Sequence, residues 1–102
     1  MLELRPNCEC CDKDLPPNST DARICSFECT FCSDCVEKIL LNVCPNCGGG
    51  FTLRPIRPSL NHRGDNYIGT YPASTKRVIR SIEPASQLEF ASRLKDIPPH
   101  RR

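Results

Sequence analysis

The sequence predicts a small α+β head closed by its cysteines, followed by a largely extended tail that ends in a helix. Three observations predict it. All nine cysteines of the 102-residue chain lie between positions 8 and 47. Hydrophobic content is 38%, with no Trp and ten Pro, so the core is thin; a domain that small closes only with disulfides, a metal or a partner. Charge divides along the chain, with four Lys/Arg against eight Asp/Glu in residues 1–50 and ten against four in residues 51–102. An acidic head and a basic tail can fold onto each other, or the tail can meet an acidic partner.

The head spans 1–58 and the tail 59–102. Leu2–Arg5 reads as a short strand, and Pro16-Pro17-Asn18-Ser19-Thr20 as a loop. Arg23–Cys29 alternates weakly, and Ile24 and Phe27 suit a small hairpin. Ser33–Asn42 reads as a helix with Ser33 as N-cap, Asp34 and Glu37 in the first turn, and Val36, Ile39 and Leu40 on one face. Cys35 lies in that first turn, where its sulfur can reach a metal beneath.

Gly48-Gly49-Gly50 reads as a sharply turning exit, without the Lys-Ser/Thr that a phosphate loop requires. Phe51–Ile56 returns as a strand, and Arg54–Pro58 continues as extended linker. Residues 59–83 are polar and expected to be poorly ordered, with β-like pieces at Tyr67–Tyr71 and Arg77–Ile82. Pro84 suits a first helical turn, and a helix near 84–97 places Phe90, Leu94 and Ile97 on one face before Pro98-Pro99 stops it. A helix that short is marginal alone. It needs the head, a second copy or a partner.

The cysteines carry the chemistry. Cys8-x-x-Cys11 is followed after thirteen residues by Cys25-x-x-x-Cys29, then Cys32-x-x-Cys35, and after eight more by Cys44-Pro45-Asn46-Cys47. That makes four pairs, with Cys10 left over. A tight turn between paired cysteines aims both sulfurs at one ion, while backbone N–H groups of the turn bond to the thiolates. Four such pairs supply two tetrahedral sites for structural zinc. Disulfides would suit a secreted chain, but the opening residues lack the basic start and apolar middle of a signal peptide and nine is an odd number. The chain therefore reads as cytoplasmic, where thiols stay reduced. An iron–sulfur run of the bacterial type has three residues before its Cys-Pro, not eight. Sequential pairing would join the first pair to the second and the third to the fourth; a cross-braced pairing would join the first to the third and the second to the fourth. The spacing alone leaves both open.

The order of pairs, Thr30-Phe31-Cys32 after Cys29, and the Cys-Pro-x-Cys end resemble a RING finger over residues 8–47, with Cys29 where that family has histidine. The resemblance implies a RING-like, treble-clef, cross-braced head with one site of Cys8, Cys11, Cys32 and Cys35 and a second of Cys25, Cys29, Cys44 and Cys47. Phe31, Ile24, Val36 and Leu40 would fill the space between. The opening MLELRPNCECCDKDLPP and the stretch ARICSFECTFC are also similar to a small bacterial family of domains of unknown function, which implies a bacterial cytosolic origin and a zinc-ribbon or RING-like head but no activity.

Eight sulfurs fill two sites and leave no open position for a catalytic ion. His62 and His100 lie in the tail, and Asp12, Asp14, Asp21 and Glu28 read as solvating charges, so the chain reads as a non-enzyme. The leading expectation is a zinc-stabilised protein-interaction module whose tail helix docks a partner through Phe90, Leu94 and Ile97. A ubiquitin-ligase-like activity is the second. Glu9 and Cys10 stand where the RING partner groove wants an apolar residue, however, and Gly48 where it wants a basic one. The third is nucleic-acid binding through the basic tail, with Ser74–Arg77 and Arg80 as its cluster. Cys10 reads as a partly exposed spare that can substitute for Cys8 or Cys11.

Overall fold

The computed structural model describes the whole chain, Met1–Arg102. Its centre is an antiparallel sheet in the order β2-β1-β3, from Ala22–Ile24 (β1), Thr30–Cys32 (β2) and Thr52–Leu53 (β3). The hairpin places Arg23 opposite Phe31, and β3 returns on the other side of β1 with Leu53 opposite Arg23. Phe27 stands at the exposed hairpin tip, so only Ile24 of the two expected hairpin residues turns partly inward. Leu2–Arg5 is not a strand, although Leu4 is buried there.

β2 runs straight into a helix, α1 (Ser33–Cys35), which widens into a π-helical turn over Val36–Leu40. Ser33 is the first helical residue and Cys32 caps it without a side-chain bond. The cap comes instead from Asp21, whose carboxylate accepts from the backbone N–H and hydroxyl of Ser33 and from Lys13. Those partners, Lys13 foremost, hold the Asp21 carboxyl at about 2. The π turn changes which residues face inward. Val36 and Leu40 are buried, whereas Ile39 is exposed, because a wider turn rotates it off the face that a 3.6-residue period predicts.

The buried cluster joins Leu15, Ala22, Phe31, Val36 and Leu40 to six cysteines, so sulfur makes up more than half of its eleven members. Phe31 meets Phe51 edge to face, with centroids 5.4 Å apart. A core of this size and composition adds little hydrophobic stabilisation.

The second helix, α2 (Pro84–Ser92), is shorter than the span near 84–97 and is capped at its C-terminus by Arg93. Glu83 caps it by accepting from Ala85 and Ser86 N–H, with Pro84 at the first helical position. Of the three surfaces the sequence leaves open for this helix, the structure supplies the head. Gln87 and Ala91 are buried, and Gln87 Nε2 donates to the carbonyls of Leu40 (3.4 Å) and Val43 (3.1 Å). Phe90 and Leu94 lie over Gly48, whose φ is +78°. Ile97 is exposed.

The three glycines are a landing site for the chain's end. A Cβ on Gly50 would stand 2.7 Å from Cγ of Pro99, in the closing 3-10 turn Pro99–Arg101. Arg102 reaches back to the carbonyls of Asn42 (2.8 Å) and Gly48 (3.1 Å). Gly50→Ala is expected to lift this turn away and lower stability by about 1–3 kcal/mol, read as an earlier urea midpoint at unchanged zinc content.

Residues 59–83 form no strand, and Tyr67–Tyr71 is a run of turns. The last part of this segment lies across the head. Val78 exchanges bonds with the Asn7 side chain, Arg80 N–H donates to the Glu9 carbonyl (2.7 Å), and Arg77 grips Asp12 and Asp14 at 2.7 Å each. No helix is long and apolar enough to cross a membrane.

Candidate metal centre

Two groups of sulfurs gather in and around the buried cluster that holds Phe31 and Leu40. Cys8, Cys11, Cys32 and Cys35 bring their Sγ atoms within 4.8 Å of one another, and so do Cys25, Cys44 and Cys47. The first pair thus meets the third, and a member of the second meets the fourth. The sequential pairing is absent. β2 and α1 make the interleaving possible: Cys32 ends the strand, Cys35 lies one helical turn on, and both face the Cys8–Cys11 turn.

The two x-x turns are built alike. Asp12 N–H donates to the Cys8 carbonyl (2.9 Å) and Gly48 N–H to that of Cys44 (2.8 Å). The residue after each pair is left-handed, Asp12 at φ 65° and Gly48 at φ 78°. Backbone N–H groups then point at sulfur: Cys11 at Cys8 Sγ (3.5 Å), Asn46 at Cys44 Sγ (3.4 Å), Gly49 at Cys47 Sγ (3.4 Å), and Phe27 at Cys25 Sγ (3.3 Å). Such donors spread the charge of metal-bound thiolates.

The first donor set fits a tetrahedral ion. Zinc–sulfur bonds of about 2.3 Å place neighbouring sulfurs roughly 3.8 Å apart, and Cys11 Sγ and Cys32 Sγ lie at 3.8 Å. None of the nine cysteines is in a disulfide.

Cys29 is the fourth member of the second set that the RING resemblance implies. Its buried sulfur neighbours Cys25 but lies outside the compact group of three. Arg80 Nη2 sits 3.2 Å from Cys29 Sγ. Glu28, left-handed at φ 66°, sets the course of the three-residue link. Cys10 is outside both groups, packs partly against the core, and has its thiol pushed up by burial. His62 and His100 are exposed in the tail and join neither group.

Burial pushes the Cys35 and Cys44 thiols up. Against burial, the backbone N–H of Lys13 holds Cys11 below the ordinary thiol range and that of Phe27 does so for Cys25. A metal entering at neutral pH therefore displaces protons. Binding draws the effective thiol pKa down, so the stabilisation is complete at high pH and lost as pH falls. With four protons displaced per ion, the acid-unfolding midpoint is expected to fall by about a quarter of a pH unit for each tenfold rise in free zinc, measurable by circular dichroism in zinc-buffered solutions.

Two buried charged side chains have no signal in the cysteine pattern. Glu9 is fully buried and accepts from Arg5 Nη1 (2.8 Å), Arg80 Nε (2.9 Å) and the backbone N–H of Thr30. Arg54 is buried with no acidic partner. Its guanidinium donates to the carbonyls of Arg5 (2.8 Å), Leu15 (3.2 Å) and Pro16 (2.9 Å). The split of charge between head and tail hinted at the first; no local pattern signals the second.

Fold and site together define a small cysteine-rich α+β domain with two interleaved groups of sulfurs that can hold metal ions. The chain belongs to the family described as Protein of unknown function (DUF1272), which matches residues 1–57. It is similar to the Uncharacterized protein R02474 of Rhizobium meliloti (strain 1021), 58% identical over 80 residues that cover 78% of this chain and 88% of that protein. A match of that length cannot fit inside the first 57 residues, so it takes in part of the tail. No solved structure matches.

Proposed function

We propose that the chain is a non-catalytic interaction module whose RING-like head is cross-braced by two structural zinc ions. The observation that carries this reading is the interleaved gathering of Cys8, Cys11, Cys32 and Cys35 within 4.8 Å, a closed all-sulfur set suited to zinc and leaving no position for water or substrate. Cys25, Cys44 and Cys47 would hold the second ion, with Cys29 completing it. The zinc would supply rigidity, and the residues around it would present a fixed surface to a protein partner.

Two rival functions have less support. A conjugating-enzyme groove needs an apolar contact from within the first cysteine pair, and Glu9 there is buried among Arg5, Arg80 and Thr30. Nucleic-acid binding needs free tail cations, and Arg77 and Arg80 are engaged by Asp12, Asp14 and Glu9. The partner-docking face expected from Phe90, Leu94 and Ile97 has two of its members turned onto the head, so a partner would meet the docked helix from outside, where Leu88 and Ile97 are exposed.

Cobalt substitution tests the closed, non-catalytic reading. The chain is expected to take two equivalents of cobalt(II) with strong tetrahedral and sulfur charge-transfer bands that added azide leaves unchanged. Azide-dependent bands would reveal an open coordination position and contradict it.

A further inference from the structure

Arg5, Glu9, Arg80 and Cys29 form a continuous chain of contacts across the head–tail junction. Arg5 Nη1 donates to Glu9 Oε2 at 2.8 Å, Arg80 Nε to Glu9 Oε1 at 2.9 Å, and Arg80 Nη2 to Cys29 Sγ at 3.2 Å. The Glu9 side chain is 0% exposed, those of Arg5 and Arg80 are 19% and 33% exposed, and Cys29 is 1% exposed. Reading along it, the charges run plus, minus, plus. Glu3 pairs with Arg5 at the far end (2.9 Å), so the row of charges closes on itself and the 3.2 Å contact is what ties the sulfur to Arg80. Thiol–thiol contacts apart, Arg80 is the one side chain that donates to a cysteine sulfur; the other donors to sulfur are backbone N–H groups. Its position is fixed independently by its backbone N–H on the Glu9 carbonyl at 2.7 Å.

We infer that Arg80, from the tail, is a positioning residue of the second metal centre: it donates to the Cys29 sulfur, offsets its negative charge, and couples docking of residues 74–83 to occupancy of that centre. This rests on the zinc reading above and adds that the metal-binding unit extends beyond residue 57, where the family match ends. No arginine or lysine side chain donates a hydrogen bond to a sulfur of the first centre, so the two centres respond differently to the same substitution.

The test is stepwise zinc competition with a chromophoric chelator on the full chain, with Cys11→Ser and Cys47→Ser assigning the two steps. Arg80→Gln is expected to weaken the step of the second centre by roughly 10–100-fold and to leave the first within about threefold. In the cobalt form it is expected to move the second centre's sulfur charge-transfer band to lower energy, since a lost donor raises the sulfur lone pair. In a Cys29→Ser background Arg80→Gln is expected to add nothing, because its effect travels through that sulfur. Arg80→Lys, which keeps the charge and the backbone bond, guards against a folding defect and is expected to fall between wild type and Gln. Equal weakening of both steps, unchanged affinities, or a tighter second step (Arg80 holding Cys29 away from the ion) would each overturn the inference. A wild-type chain that binds no zinc would instead remove the reading on which it rests.

Discussion

Cys35→Ser is expected to leave the chain without a stable head. Serine keeps the size of cysteine but not the soft thiolate, so the first centre loses one of four ligands at the start of α1. A structural zinc contributes apparent folding free energy on the order of 10–16 kcal/mol at neutral pH. A domain's whole net stability is about 5–15 kcal/mol. The loss of one centre therefore exceeds what the rest of the head supplies, since the apolar part of its buried cluster is only Leu15, Ala22, Phe31, Val36 and Leu40. Cys8→Ser should behave the same way. Cys10→Ser is the control: Cys10 lies outside both sulfur groups, so zinc content and the unfolding midpoint should stay close to those of the wild type. Circular dichroism at matched free zinc reads all three variants.

The second large effect is expected at Arg54. Its guanidinium ties three segments that share no strand: the lead through Arg5, the loop at Leu15 and Pro16, and its own strand end after β3. Burial lowers the Arg54 pKa, but arginine remains charged at any working pH. Arg54→Ala removes three charge-assisted hydrogen bonds and leaves a cavity beside the carbonyls of Arg5, Leu15 and Pro16, at about 3–5 kcal/mol. Arg54→Lys should recover only part of this, because one ammonium cannot reproduce the planar fork. The urea midpoint of the zinc-loaded protein orders them: wild type, then Lys, then Ala. Equal stability of Ala and wild type would mean that the lead and the loop are held by something else.

Much of the head is legible in the sequence because its constraints are local. Paired cysteines at two-residue spacing specify their own turns, whereas the second hairpin strand, Thr30–Cys32, lies just beyond the Arg23–Cys29 stretch whose alternation suggests the hairpin. Pro84 and the apolar spacing after it mark the second helix, though not its end at Ser92. What escaped depends on distance along the chain. Arg80 meets Glu9 across 71 positions and Arg54 meets Arg5 across 49, and no periodicity encodes such meetings. Ile39 was misplaced because the π-helical turn breaks the period on which the reading relied. The Ser33 cap was misplaced because the capping carboxylate, Asp21, comes from before β1. The three glycines read as an exit turn, and their second role, admitting Pro99, Phe90 and Leu94 close to the backbone, shows only once the tail is folded back.

Elemental analysis of protein purified without added metal, read beside its visible absorption and its circular dichroism after chelation, tests the central claim most directly. The account predicts two zinc ions per chain, no colour, and loss of the fold once a strong chelator has removed them. A folded chain with no bound zinc, a brown iron–sulfur chromophore, or a fold that survives complete chelation would contradict it.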